Sequence, residues 1–186
     1  MAAPGGVTIE LEHAIGFSGL SLSPLHMLGT DGSSYAYATG GCVVLGDLSD
    51  PHKQHFLRGH DDHISCLAVS KSGRLIASGQ HGRDADVIVW DVEARAPVFR
   101  LQEHDSGVAV VAFSEDERFL VTVGVVSDGK MVVWDLETGA VVSNHKRQDK
   151  DGARPLSTSC VCWGYRKRDA KRRDTTQYQV LTRLLA

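Results

Sequence analysis

Two stretches of this chain superpose on one another at a fixed offset of 44 residues without a single insertion. Ile64 falls on Val108, Ala68 on Ala112, Ser70 on Ser114, Arg74 on Arg118, Ser78 on Thr122 and Asp84 on Asp128, and Val87-Ile88-Val89 falls on Met131-Val132-Val133. In each copy a His precedes a Trp-Asp dipeptide by 30 residues: Gly59-His60 leads to Trp90-Asp91, and Glu103-His104 leads to Trp134-Asp135. A chain built this way is an array of one supersecondary unit, because each copy buries its apolar surface against the next. The first copy contains four short β-type runs, Ile64 to Val69, Leu75 to Ser78, Val87 to Trp90 and Pro97 to Leu101. Turn clusters separate them: Lys71-Ser72-Gly73 and Glu115-Asp116-Glu117 mark one hairpin, Arg83-Asp84 and Asp128-Gly129 the next. Four strands in about 44 residues is the unit of a β-propeller blade.

The GH and WD dipeptides with an intervening turn Asp resemble the WD40 repeat family. The resemblance implies an all-β fold, here an incomplete WD40 β-propeller of about three blades plus part of a fourth. Residues 58–101 and 102–145 read as the two full repeats, with Glu103 standing where the second repeat should have Gly. Residues 1–57 read as a degenerate first blade with Val7 to Leu11 as an edge strand and Gly16-Phe17 near the GH position. Its second strand is expected at Tyr35 to Gly40 and its third at Cys42 to Leu45, with Leu45 and Gly46 where Trp and Asp would stand. Residues 146–186 read as a basic linker and a partial fourth blade, with strands at Thr158 to Trp163 and Tyr178 to Thr182 and TRLLA as a doubtful member. Since rings normally close with four to eight blades, a truncated product, or an arc closed by another chain, is expected.

His60, Ser78 and Asp84 have the residue types of a hydrolase triad, and His104, Thr122 and Asp128 repeat them. Recurrence argues against chemistry, because catalysis needs one assembled site whereas a fold needs its device in every blade; no GxSxG elbow is present either. The resemblance implies instead structural tetrads, His60, Ser78, Asp84 and Trp90 in one repeat and His104, Thr122, Asp128 and Trp134 in the next. Asp84 is expected to accept a hydrogen bond from His60. No catalytic residue, cofactor site or metal site is read from the sequence, and no phosphate-binding glycine motif occurs. Asp61-Asp62-His63 and His81-Gly82-Arg83 read as solvated turns. Cys42, Cys66, Cys160 and Cys162 lack the spacing of a zinc ribbon and read as reduced, core-packing residues.

The net charge of −3 divides into −10 over residues 1–145 and +7 over residues 146–186. Arg166 to Arg173 holds much of the basic excess and reads as a solvated loop, a contact for nucleic acid or the acidic surface of tubulin, or a nuclear address. It lacks the interleaved aromatics that stack on bases, which disfavours nucleic acid. With 42% hydrophobic and 23% charged residues the composition is globular, and no apolar run approaches the roughly 18 residues that span a bilayer. The N-terminus has no signal-peptide pattern, so an intracellular protein is expected.

Leu11 to Gly19, Phe56 to His60, Ile76 to Gln80 and Ala85 to Asp91 resemble the cilia- and flagella-associated group of WD40 proteins. More distantly, they resemble the echinoderm microtubule-associated protein-like family. The Ser78-Gly79-Gln80 step followed by a lengthened turn is the most specific cue. This resemblance implies a non-enzymatic scaffold in the axoneme of motile cilia, with tubulin of the doublet microtubule and other axonemal proteins as partners, and no small-molecule substrate. A general WD40 adaptor, in ubiquitin ligation or signalling, and a non-functional fragment are the competing readings.

Overall fold

The computed structural model describes residues 11–16, 25–29, 32–146, 157–165 and 178–185. Three four-stranded antiparallel sheets follow one another along the chain. The first contains β1 (Leu25–Leu28), β2 (Ser34–Thr39), β3 (Cys42–Asp47) and β4 (Gln54–Arg58). The second contains β5 (Ile64–Val69), β6 (Leu75–Gln80), β7 (Ala85–Asp91) and β8 (Ala96–His104), and the third β9 (Val108–Phe113), β10 (Phe119–Gly124), β11 (Lys130–Asp135) and β12 (Val141–Lys146). β13 (Ser157–Tyr165) and β14 (Tyr178–Leu185) form a two-stranded fourth sheet. Every sheet is a meander with strands in chain order, and β1, β5, β9 and β13 lie side by side as the first strand of each blade. Among the described residues no helix is long and apolar enough to cross a membrane.

The period-2 alternation of the strands explains why the blades stack. β7 is buried along Ala85 to Trp90 and sends alternate side chains to opposite neighbours. Ile88 and Trp90 join Ala36, Val43, Leu57, Ile64 and Ile76 between the first and second sheets. Val87 and Val89 join Ala77, Val108, Leu120, Val132 and Trp134 between the second and third. A strand covered on both faces must be apolar throughout, and Val87-Ile88-Val89-Trp90 is. β12, the outermost strand of its blade, is exposed along nearly its whole length.

The turns repeat as the strands do. Ser70 Oγ accepts from Leu75 N at 3.1 Å and Ser114 Oγ from Phe119 N at 2.9 Å, closing equivalent hairpins. Gly73 and Glu117 both hold left-handed φ, +75° and +59°. The same turn places both, Glu117 N donating to Ser114 O at 3.0 Å as Gly73 N does to Ser70 O at 2.9 Å, and the Glu117 carboxylate accepts from the backbone and hydroxyl of Ser72 in the preceding blade. The Asp of each WD dipeptide ties the following turn, Asp91 Oδ1 accepting from Ala94 N at 2.8 Å and Asp135 Oδ1 from Glu137 N at 2.7 Å.

In the first blade the register corrects the expected positions by one residue: Gly46 pairs with the second residue of β2 as Trp90 does with that of β6, and Asp47 takes the place of the WD Asp, its Oδ1 accepting from Ser49 N at 2.8 Å. Gly46 pairs across from Tyr35, whose ring lies 2.4 Å from where a Cβ would be, so the aromatic ring occupies the volume a side chain would need. Residues 7–10 and 166–173 and Phe17 lie outside the described residues; Leu11 is described and carries no strand.

Candidate functional site

Each full blade contains a chain of polar side chains running from its Trp toward the rim. Trp90 Nε1 donates to Ser78 Oγ at 2.8 Å, Ser78 Oγ lies 2.6 Å from His60 Nε2, and His60 Nδ1 lies 2.8 Å from Gln80 Oε1. An indole N–H only donates and an amide oxygen only accepts, so the order is fixed: the Ser78 hydroxyl donates to Nε2 and the Nδ1–H donates to Gln80. In the third sheet Trp134 Nε1 donates to Thr122 Oγ1 at 3.0 Å, Thr122 Oγ1 lies 2.8 Å from His104 Nε2, and His104 Nδ1 lies 2.8 Å from Asp128 Oδ2. Asp128 Oδ1 also accepts from Asp105 N at 2.6 Å.

The structure therefore brings together His104, Thr122, Asp128 and Trp134, and likewise His60, Ser78 and Trp90, but corrects the expectation for Asp84. Asp84 is exposed, at φ +49°, and Gln80 stands in its place as the partner of His60. The physical reason is one Cβ. At the position equivalent to Gln80 the third sheet has Gly124, and a Cβ built there would lie 1.9 Å from Asp128 Oδ2. Only glycine leaves room for the turn carboxylate to reach inward, so a blade with Gln at this position sends its own amide to the histidine and leaves the turn Asp outside. The signal was in the alignment, where Gln80 opposes Gly124 as a polar residue at the end of an apolar strand.

A second group escaped the sequence reading. Asp86 is 3% exposed on β7 and receives Arg100 Nη1 and, at 2.8 Å, Gln102 Nε2, while Arg100 Nη2 reaches Gly59 O. An acid inside the apolar run Ala85 to Trp90 demands such partners, and that was its signal. Among the described residues no buried side-chain N or O lacks a partner. Glu103, in the Gly position, is accommodated because its side chain turns outward to accept from Asn144 Nδ2 at 3.1 Å.

Ser78 is completely buried, so its Oγ is a link in a packed chain and does not line a cleft. Burial pushes the His60 imidazole below its ordinary value of 6.5, opposed by the Gln80 hydrogen bond and the Asp86 charge, with Arg100 adding to the depression. A histidine depressed in the fold binds its proton more tightly when unfolded. Its contribution to stability is complete above pH 6.5 and falls as the pH drops from there toward the folded value. Urea midpoints are therefore expected to fall between about pH 7.5 and 5.5, and His60→Gln to flatten that fall; an unchanged slope in the variant would refute this.

Cys66 is buried, and burial pushes its thiol up to about 12, which makes it inert as a nucleophile. Ser78-Gly79-Gln80 owes its glycine to the same interface: a Cβ on Gly79 would meet Val108 Cβ at 2.7 Å and Cys66 Sγ at 2.8 Å. Cys162 is exposed, contrary to the expected core role, because it lies on the two-stranded sheet. Trp163 of that sheet donates to Ala112 O at 3.1 Å, fastening β13 to β9.

Sheets of four antiparallel strands, stacked by their first strands and carrying a His–Ser/Thr–Trp chain, make this an incomplete β-propeller built of WD40 repeats. The family described as "WD domain, G-beta repeat" matches residues 51–91 and 95–135. The chain is 43% identical over 96 residues to cilia- and flagella-associated protein 52 of Chlamydomonas reinhardtii, a match covering 50% of this chain and 15% of that protein. The human protein of the same name is 41% identical over 96 residues, again 50% of this chain and 15% of the relative. Mouse mitogen-activated protein kinase-binding protein 1 is 41% identical over 69 residues, 37% of this chain and 4% of that protein. Among solved structures, a chain of the mitotic checkpoint complex superposes with a TM-score of 0.60 at 25% identity, covering 70% of this chain and 38% of that one.

Proposed function

We propose that the chain is a non-enzymatic scaffold of motile cilia and flagella that binds and stabilises the doublet microtubules of the axoneme. The observation that carries this reading is the 43% identity to a cilia- and flagella-associated protein across 96 residues. The polar groups with the residue types of a hydrolase support a scaffold as well, since buried Ser78 is bonded to His60 and Trp90, and buried Thr122 to His104 and Trp134. The tetrads hold the blades rigid, and rigid blades present loops to a partner at fixed spacing. The +7 charge of residues 146–186 complements the acidic surface of tubulin.

Co-sedimentation with microtubules assembled from purified tubulin tests the proposal. Saturable pelleting that weakens with added salt is expected; a chain that stays in the supernatant at every tubulin concentration overturns it. The likeness to mitogen-activated protein kinase-binding protein 1 favours the second reading, a signalling adaptor, which predicts no pelleting.

A further inference from the structure

The rim of the second blade carries a cluster that the repeat does not need. Asp62 and His63 lie in the loop from β4 to β5 and His81 in the turn from β6 to β7. The backbone brings the two loops together: His81 N donates to His63 O at 2.9 Å, and His81 also pairs with Gly107 of the next blade. The imidazoles of His63 and His81 consequently stack, with centroids 4.8 Å apart and planes 14° from parallel. Asp62 Oδ1 accepts from His63 N at 2.7 Å and lies 3.0 Å from His63 Nδ1. Gly82, at φ +96°, leaves the space beside this carboxylate clear, since a Cβ there would lie 2.5 Å from Asp62 Oδ2. One ligand atom from each of Asp62, His63 and His81 lies within 4.8 Å of the other two.

A device required by the fold recurs at the 44-residue offset, as the tetrads do. This one does not: the equivalents of Asp62, His63 and His81 are Ser106, Gly107 and Val125. The cluster is therefore no part of the device that the blades repeat. Two imidazoles and a carboxylate are the donor set of a three-ligand zinc site, whereas magnesium and calcium take oxygen. With bonds of about 2.0–2.1 Å, neighbouring ligands of a tetrahedral ion stand about 3.3 Å apart. Asp62 and His81 are exposed and His63 partly so, which leaves their side chains free to close that gap by rotation.

We propose that Asp62, His63 and His81 form a Zn²⁺ site, with water as the fourth ligand, that clips the two loops at the rim of the second blade. Equilibrium dialysis of the full chain against Zn²⁺ tests it, with Co²⁺ absorption as a report of tetrahedral geometry. One ion per chain is expected, with affinity reduced at least about tenfold in His63→Gln and in His81→Gln and also reduced in Asp62→Asn. Circular dichroism identical to the parent shows that these surface variants fold. No Zn²⁺ binding by the parent overturns the proposal, as does equal binding by the His63→Gln, His81→Gln double variant, or Mg²⁺ binding as tightly as Zn²⁺. Octahedral Co²⁺ spectra overturn it too.

Discussion

His104→Ala is expected to destabilise the chain by about 3–5 kcal/mol, against about 1–3 kcal/mol for His60→Ala. Both substitutions cut a hydrogen-bond chain between a Trp and a rim partner, so a simple count of bonds predicts equal losses. The partners left behind differ. Removing His104 takes from Asp128, 3% exposed, the one side chain that pairs it, leaving a buried carboxylate with two backbone donors, Asp105 N on Oδ1 at 2.6 Å and Lys130 N on Oδ2 at 3.2 Å. Removing His60 strands Gln80, 4% exposed but neutral, and a buried amide costs far less to leave unpaired than a buried carboxylate. Equilibrium urea unfolding of the two variants beside the parent measures the difference. Equal losses would mean that Asp128 finds water or another donor when its imidazole is gone, and the asymmetry argued here would be wrong.

Gly124→Ala is expected to cost about 3 kcal/mol, the upper end for an added core methyl. The methyl would meet Asp128 Oδ2 at 1.9 Å and Cγ at 2.5 Å, and that carboxylate cannot retreat without releasing His104 and Asp105 N. If glycine is needed only to admit the carboxylate, the second blade already shows the alternative. Gly124→Gln combined with Asp128→Asn should then cost less than the two single changes together, with a coupling on the order of 1 kcal/mol or more. The introduced amide would accept from the His104 imidazole the way Gln80 accepts from His60. Strict additivity in this double-mutant cycle would contradict the account.

The repeat could be read without a structure because its information is local and periodic. Alternating apolar residues every two positions, turn residues at fixed places and the recurring His, Ser/Thr and Trp specify strands and their order, and Val87 to Trp90 could only be a strand covered on both faces. The second and third strands of the first sheet were legible for the same reason, but their register was not, since Gly46 and Asp47, one residue beyond Leu45 and Gly46, stand at the Trp and Asp positions. The partner of His60 was not legible in this way. Asp84 and Asp128 are aligned and chemically identical, yet one lies outside and the other inside, because the choice rests on whether the strand residue opposite leaves the volume of a carboxylate. Nor does any local pattern place His81 over His63, for they belong to separate loops that meet only when β5 and β6 pair and the next blade pins Gly107. Periodicity determined the blades; excluded volume and the meeting of distant loops, which exist only in three dimensions, decided which side chains face one another.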